Sequence, residues 1–322
     1  SARKCPYCDF NSHQIGQKQD RIVRFSNELL QEKPIASQRL AADQQNRYLA
    51  ALLADLHATL PLIWGRPVQT VFMGGGTPSL FSPDVIAQLI SEIRAVVPLV
   101  PDCEITMEAN PGSFETDRFK AYRQAGVTRL SIGVQSFNDQ HLQAIGRVHD
   151  RAQAIAAIEE ASRHFDSFNL DVMYALPGQS LGQFAQDLNM ALAFEPPHLS
   201  VYQLTLEANT FFAKYPPQLP HDDDAYAMLD HILEKTAERG LQRYEVSAFA
   251  RNDTMCRHNR NYWQFGDYIG IGAGAHGKLT FPNRVVRHVK VRDPELYMNR
   301  ALLDGDGALA SEVQVSRAEL PF

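Results

Sequence analysis

Cys5 and Cys8 stand two residues apart in the run Lys4-Cys5-Pro6-Tyr7-Cys8. Two thiolates at that spacing can grip one metal centre, and cysteine clusters of this kind hold iron–sulfur centres or zinc. A second pair at matching spacing would point to structural zinc, but Cys103 and Cys256 are distant and isolated. A bare Cys-x-x-Cys is also the pattern of a redox dithiol. Four cysteines in 322 residues make no disulfide framework, so a reducing, cytoplasmic setting fits best.

A second group of residues suits ligand binding. Gly74-Gly75-Gly76-Thr77-Pro78 lets backbone approach a ligand closely and offer its N–H and C=O groups. Thr77 adds a hydroxyl, and the set matches the amino and carboxylate ends of an amino acid. A tight strand-to-helix turn would use the same residues. Glu108, Gln135, Arg147 and Asp171 are polar groups at or near the ends of other apolar runs. An arginine there can pair a carboxylate bidentately, and an aspartate can accept from a hydroxyl or amine.

Cys256-Arg257-His258-Asn259-Arg260-Asn261-Tyr262-Trp263 packs a metal-ligating imidazole, two cations and two aromatics into eight residues. It reads as a loop whose arginines can meet propionates and whose aromatics can stack on a flat macrocycle. A hydrogen-bonded core histidine is the plainer account. Cys256 is either a thiolate ligand or a buried apolar residue. Gly272-Ala273-Gly274-Ala275-His276-Gly277 matches G-x-G-x-x-G, but the following Lys278–Phe281 reads as extended, whereas a dinucleotide fingerprint must open a helix.

The elements that must position these groups alternate short β-rich runs with amphipathic helices, the mark of a parallel α/β fold. Strands are expected at Thr70–Met73, Glu104–Met107, Arg129–Val134, Asn169–Tyr174 and Ser200–Leu204. Ser82, Asp150 and Ser180 are expected to cap helices, and Leu40–Leu60 and Asp222–Arg239 to be helical. In such barrels functional residues follow the strands, and four of these loops fall in register. A turn-rich stretch, Tyr215–Pro220, marks a boundary between residues 1–220 and 221–322. Net charge is −6, so no basic field recruits nucleic acid, and no apolar run reaches membrane-spanning length.

Over essentially its whole length the chain resembles the radical S-adenosylmethionine (SAM) family that holds the haem chaperone HemW and the oxygen-independent coproporphyrinogen III oxidase HemN. Lys4–Ser12, Gly74–Pro78, Glu108–Pro111, Gly133–Phe137 and Asp171–Gly178 carry the likeness. It implies a partial (β/α) TIM-like barrel with a smaller C-terminal α+β region. By the resemblance Cys5 and Cys8 hold a [4Fe–4S] cluster. Gly75, Gly76, Thr77, Glu108, Gln135, Arg147 and Asp171 contact SAM, with Thr205 a weaker candidate and Tyr7 beside the cluster. The family's C-x-x-x-C-x-x-C signature puts a first cysteine at position 1, which is Ser1, a hard ligand where soft sulfur is wanted. The chain thus reads as cut at both ends, its first strand missing.

Two features divide the branches. Phe10 stands where the oxidase has a further cysteine, and His258–Trp263 reproduces the His-Asn-Arg-x-Tyr-Trp motif tied to haem binding. The resemblance therefore implies a haem chaperone, passing haem to respiratory proteins, touching membranes only through those clients and open to homodimerisation. The alternative it implies is radical decarboxylation of coproporphyrinogen III to protoporphyrinogen IX.

Overall fold

Five parallel strands joined by helices make the frame, and their two faces differ in chemistry. The computed structural model describes residues 4–11, 13, 40–112 and 116–316. Helix α1 (Ala42–Thr59) leads to β1 (Val68–Met73), α2 (Pro83–Val96), β2 (Leu99–Ala109), α3 (Phe119–Ala125) and β3 (Arg129–Gln135). There follow α4 (Asp139–Ala144), α5 (Arg151–His164), β4 (Ser167–Tyr174), α6 (Leu181–Ala193), β5 (His198–Gln203), α7 (Phe211–Lys214) and α8 (Asp222–Glu238). The remainder is β6 (Gln242–Arg243), β7 (Ala248–Ala250), α9 (Arg257–Trp263), β8 (His276–Phe281), β9 (Arg284–Lys290), α10 (Pro294–Leu303) and β10 (Leu309–Gln314).

The sheet runs β1-β2-β3-β4-β5-β7-β6, parallel through β5 and antiparallel beyond it. It curls into a half-barrel. Because side chains alternate along a strand, Ile105, Met107, Leu130, Ile132, Leu170, Val172 and Leu199 form one apolar face. They are buried with Ile86, Ile90, Ile158 and Leu188 of the covering helices. The opposite, inner face carries Thr106, Arg129, Ser131, Asn169 and His198, all buried. A polar inner face in a parallel sheet is where a site belongs.

All five expected strands lie in observed ones, although Leu204 falls just past the end of β5. The caps work as the residue types require: Ser82 accepts from the Val85 N–H, Asp150 from Gln153 and Ser180 from Gln183. Residues beyond 220 add β6 and β7 to the main sheet and build a second sheet, β10-β9-β8. The glycine run 272–277 leads into strand β8 and opens no helix. Among the described residues no helix is long and apolar enough to cross a membrane.

One expectation needs correcting. The His258 segment is not a loop but the helix α9. Glu104 of β2 is the cause: its Oε1 accepts from the Arg257 N–H at 3.1 Å and the His258 N–H at 3.4 Å. A carboxylate there satisfies N–H groups that a helix start leaves unpaired.

Candidate functional site

The C-terminal ends of β1 to β4 bring most of the candidate residues to one mouth. Gly74 is required there, since a Cβ would lie 2.7 Å from the Glu108 carboxylate and 2.8 Å from the Phe72 ring. The Gly75 N–H donates to Glu108 Oε2 at 3.1 Å. A Cβ at Gly75 or Gly76 would meet nothing within 4 Å, so this loop borders open space. Behind it Asn110 joins two candidates: its Nδ2 donates to Thr77 Oγ1 at 3.2 Å, and its Oδ1 accepts from Arg147 Nη2 at 2.6 Å. Arg147 also donates to the Gly133 carbonyl at 2.9 Å. Gln135 and Ala175, at the ends of β3 and β4, take φ of 67° and 56°. Non-glycine residues in that region store about 1 kcal/mol or more of strain each, and such residues gather at ligand sites.

Two carboxylates at the mouth are hard to ionise. Burial, and then the charge of Asp171, pushes Glu108 up to about 7 against the Gly75 hydrogen bond. Burial likewise pushes Asp171 up to about 6, although Asn169 and Ser131 donate to it and Arg129 and Arg147 attract its charge. The pair therefore favours a cationic ligand, whose charge would let both ionise.

The cysteine loop sits beside Arg147. The Cys8 N–H donates to the Cys5 carbonyl at 3.2 Å, closing a turn. Arg147 Nη1 lies 3.8 Å from Cys5 Sγ, which itself faces the Gly146 carbonyl at 3.9 Å. Tyr7 packs its hydroxyl against the same guanidinium, and burial raises its pKa. At Gly146, with φ of +73°, a Cβ would come within 2.6 Å of Pro6 Cδ. Asn11 ties the loop to the far end of the chain: its Nδ2 donates to the Ala273 carbonyl at 2.9 Å and the Arg292 carbonyl at 2.8 Å. Two soft sulfur donors suit an iron–sulfur cluster. Among the described residues they are not joined by a third ligand, and Ser1 lies outside those residues.

His258 lies on α9 against the inner side of β1, one ring away from the mouth, because the Phe72 ring that it meets also borders Gly74. Its ring stacks on Phe72 at 4.5 Å and 17° and meets Tyr262 edge-on at 4.9 Å. Burial, and then the Arg129 charge, lowers its pKa to about 4, so the imidazole is neutral at pH 7. Among the described residues its ring nitrogens make no hydrogen bond. A neutral, unpaired imidazole is the form that ligates iron. Arg257 is not available to a propionate as expected, because its guanidinium is bound to Asp102 Oδ2 at 2.6 Å and to the Asp102 carbonyl at 3.0 Å. Arg260, Tyr262 and Trp263 remain exposed. Cys256 is a buried thiol 3.5 Å from Glu104 Oε1, its pKa raised by burial, which favours the apolar reading over a thiolate ligand.

The structure thus gathers Cys5, Tyr7, Gly75, Gly76, Thr77, Glu108, Gln135, Arg147 and Asp171 around one opening, with His258 behind the Phe72 ring that borders it. Thr205 follows β5, exposed, with its hydroxyl on Glu207 Oε1 at 2.7 Å. Sequence reasoning assigned no separate role to Asn110, Asn11 or Glu104. Asn110 and Asn11 stand within the Glu108–Pro111 and Lys4–Ser12 motifs, while the partners of Asn11 and Glu104 lie too far along the chain to be signalled locally.

A half-barrel with a glycine loop, paired carboxylates and a cysteine loop at its mouth defines the radical SAM class, and residues 2–191 match the model of the Radical SAM superfamily. The chain is 44% identical over 322 residues to the haem chaperone HemW of Escherichia coli (strain K12), covering 99% of this chain and 77% of that protein. It is 43% identical, over the same shares, to HemW of Haemophilus influenzae. Its fold resembles that of coproporphyrinogen III oxidase (HemN) from Escherichia coli, a radical SAM enzyme, with a TM-score of 0.78 at 24% identity. That likeness covers 99% of this chain and 71% of the oxidase. The chain belongs to the radical SAM superfamily and, within it, to the family of the haem chaperone HemW.

Proposed function

We propose that this protein is a cytoplasmic haem chaperone that binds a [4Fe–4S] cluster and SAM at the barrel mouth, takes haem at α9, and delivers it to respiratory haem proteins. The observation that carries this reading is the neutral, unpaired His258 imidazole on a helix anchored to the barrel by Glu104 and Asp102. Its neighbours Tyr262 and Trp263 are exposed, as a flat macrocycle requires. The 44% identity to a haem chaperone supports it. So does Phe10, which stands where the oxidase has a further cysteine.

In this reading residues 1–220 hold cluster and SAM, and residues 221–322 hold haem. Cys5 and Cys8 supply thiolates to the cluster, with Tyr7 beside it. When bound, cluster and SAM supply one-electron chemistry. Gly75 and Gly76 give SAM backbone contacts where no side chain intrudes. Glu108 and Asp171 receive its cationic groups, Thr77 and Arg147 orient it through the Asn110 bridge, and Gln135 adds a contact from the end of β3. Thr205 reaches SAM only on release from Glu207. His258 holds the haem iron, and Arg260 is placed to meet a propionate.

The test is a haem titration of the wild type and His258→Ala after anaerobic reconstitution. At least tenfold weaker binding, with an unchanged circular dichroism spectrum, is expected. Equal affinity would remove His258 from the site and the main support for the reading.

A further inference from the structure

Arg129 opens β3 on the inner face of the half-barrel and is 2% exposed. Its guanidinium carries a positive charge and five N–H donors. Among the described residues no carboxylate pairs with it and no hydrogen bond reaches it; its Nε is buried without a partner. Thr106, its register partner on β2, is fully buried, and its hydroxyl is equally unpartnered. Two orphaned groups thus stand side by side on one face.

The surroundings do not compensate the charge. His198 and His258 are both held neutral, by burial and by Arg129 itself. The nearby Tyr244 phenol and Cys256 thiol have raised pKa values and are uncharged as well. Asp171 interacts with Arg129 only at a distance, accepting instead from Ser131 and Asn169. Glu104 accepts from the start of α9. A buried charge left unpaired is strongly unfavourable, so an anion from outside the chain is the natural counterpart.

We propose that Arg129 and Thr106 form a subsite for the carboxylate of a bound ligand. A carboxylate takes two parallel hydrogen bonds from a guanidinium, and the Thr106 hydroxyl adds a third donor. Glu108 and Asp171 on the same inner face disfavour a doubly charged phosphate there. The Arg129 charge is felt at the His258 ring, so a ligand on His258 brings its own acids within that field. In haem the group is a propionate, and that source rests on the function proposed above; a separate small carboxylate is the other source.

The experiment compares wild type, Arg129→Gln and Arg129→Lys as full chains, with haem, haem dimethyl ester and 13C-labelled propionate as probes. Expected for the haem source is at least tenfold preference of wild type for haem over its ester. Arg129→Gln should bind both alike, and Arg129→Lys, which keeps charge without the fork, should fall between. Should haem and ester bind wild type equally while propionate broadens with wild type and not with Arg129→Gln, the subsite stands for a separate carboxylate. A wild type that binds neither macrocycle overturns the haem reading alone, and the propionate arm then decides the subsite. Equal behaviour of wild type and both variants toward all three probes would overturn the proposal; Arg129→Lys serves that comparison if Arg129→Gln does not fold.

Discussion

At the scale of single residues, the mouth is dominated by two acids that the fold keeps protonated longer than water would. Glu108 rises from its ordinary 4.5 to about 7, and Asp171 from 3.8 to about 6. A folded state with raised carboxylate pKa values binds more protons than the unfolded chain between those limits. Stability therefore falls as pH rises through that window. The ligand-free protein should lose thermal stability between about pH 4 and pH 7 from these two groups, and Glu108→Gln should flatten the dependence. Denaturation midpoints across that range check it; an unchanged slope in Glu108→Gln would remove Glu108 as its source. Binding a cation reverses the sign. If SAM enters here, its affinity should increase with pH over the same window and protons should be released. Calorimetry in buffers of differing ionisation enthalpy measures that release, and no net proton exchange would place the SAM cation away from Glu108 and Asp171.

At the scale of elements, the cysteine loop is held by a glycine loop more than 260 residues along. A Cβ at Gly274, with φ of +73°, would come within 2.4 Å of Asn11 Nδ2. Asn11→Ala and Gly274→Ala should each free residues 4–11, so that the Cys8 amide, bonded to the Cys5 carbonyl, exchanges hydrogen about fivefold faster or more. Exchange at the wild-type rate in both variants would mean that the Phe212 N–H, which donates to the Pro6 carbonyl at 3.1 Å, anchors the loop unaided. This contact also marks the limit of what sequence could reveal. The β/α rhythm, the caps at Ser82, Asp150 and Ser180, and the loops carrying Glu108 and Asp171 are legible because periodicity and capping act within a few residues. Run 272–277 could be rejected as a nucleotide fingerprint, but its use could not be read, since Asn11 is 262 residues from Ala273. Helix α9 was illegible for the same reason. The carboxylate that starts it belongs to Glu104, 153 residues before Arg257.

At the scale of the molecule, one buried ion pair joins the first described helix to the last sheet. Asp55 of α1 is fully buried and receives Lys290 Nζ from β9, 235 residues away. The Tyr297 hydroxyl of α10 donates to its other oxygen at 2.9 Å, and the Gly272 N–H does so at 3.2 Å. Tyr48 of α1 accepts from the Ala273 N–H at 3.2 Å. The same glycine loop that grips Asn11 is thus fixed from behind by α1. Removing one partner of a buried pair leaves the other charge uncompensated, a loss of about 3–5 kcal/mol. Asp55→Ala should destabilise by that order in urea unfolding. The double variant Asp55→Ala/Lys290→Met should regain most of it, because no unpaired ammonium then remains. Faster exchange at the Cys8 amide is expected in Asp55→Ala as well, since its hold on Asn11 runs through Gly272 and Ala273. A loss below about 1 kcal/mol in the single variant would mean that apolar packing of α1 against Tyr297 and Met298, rather than the ion pair, unites the two ends of the chain.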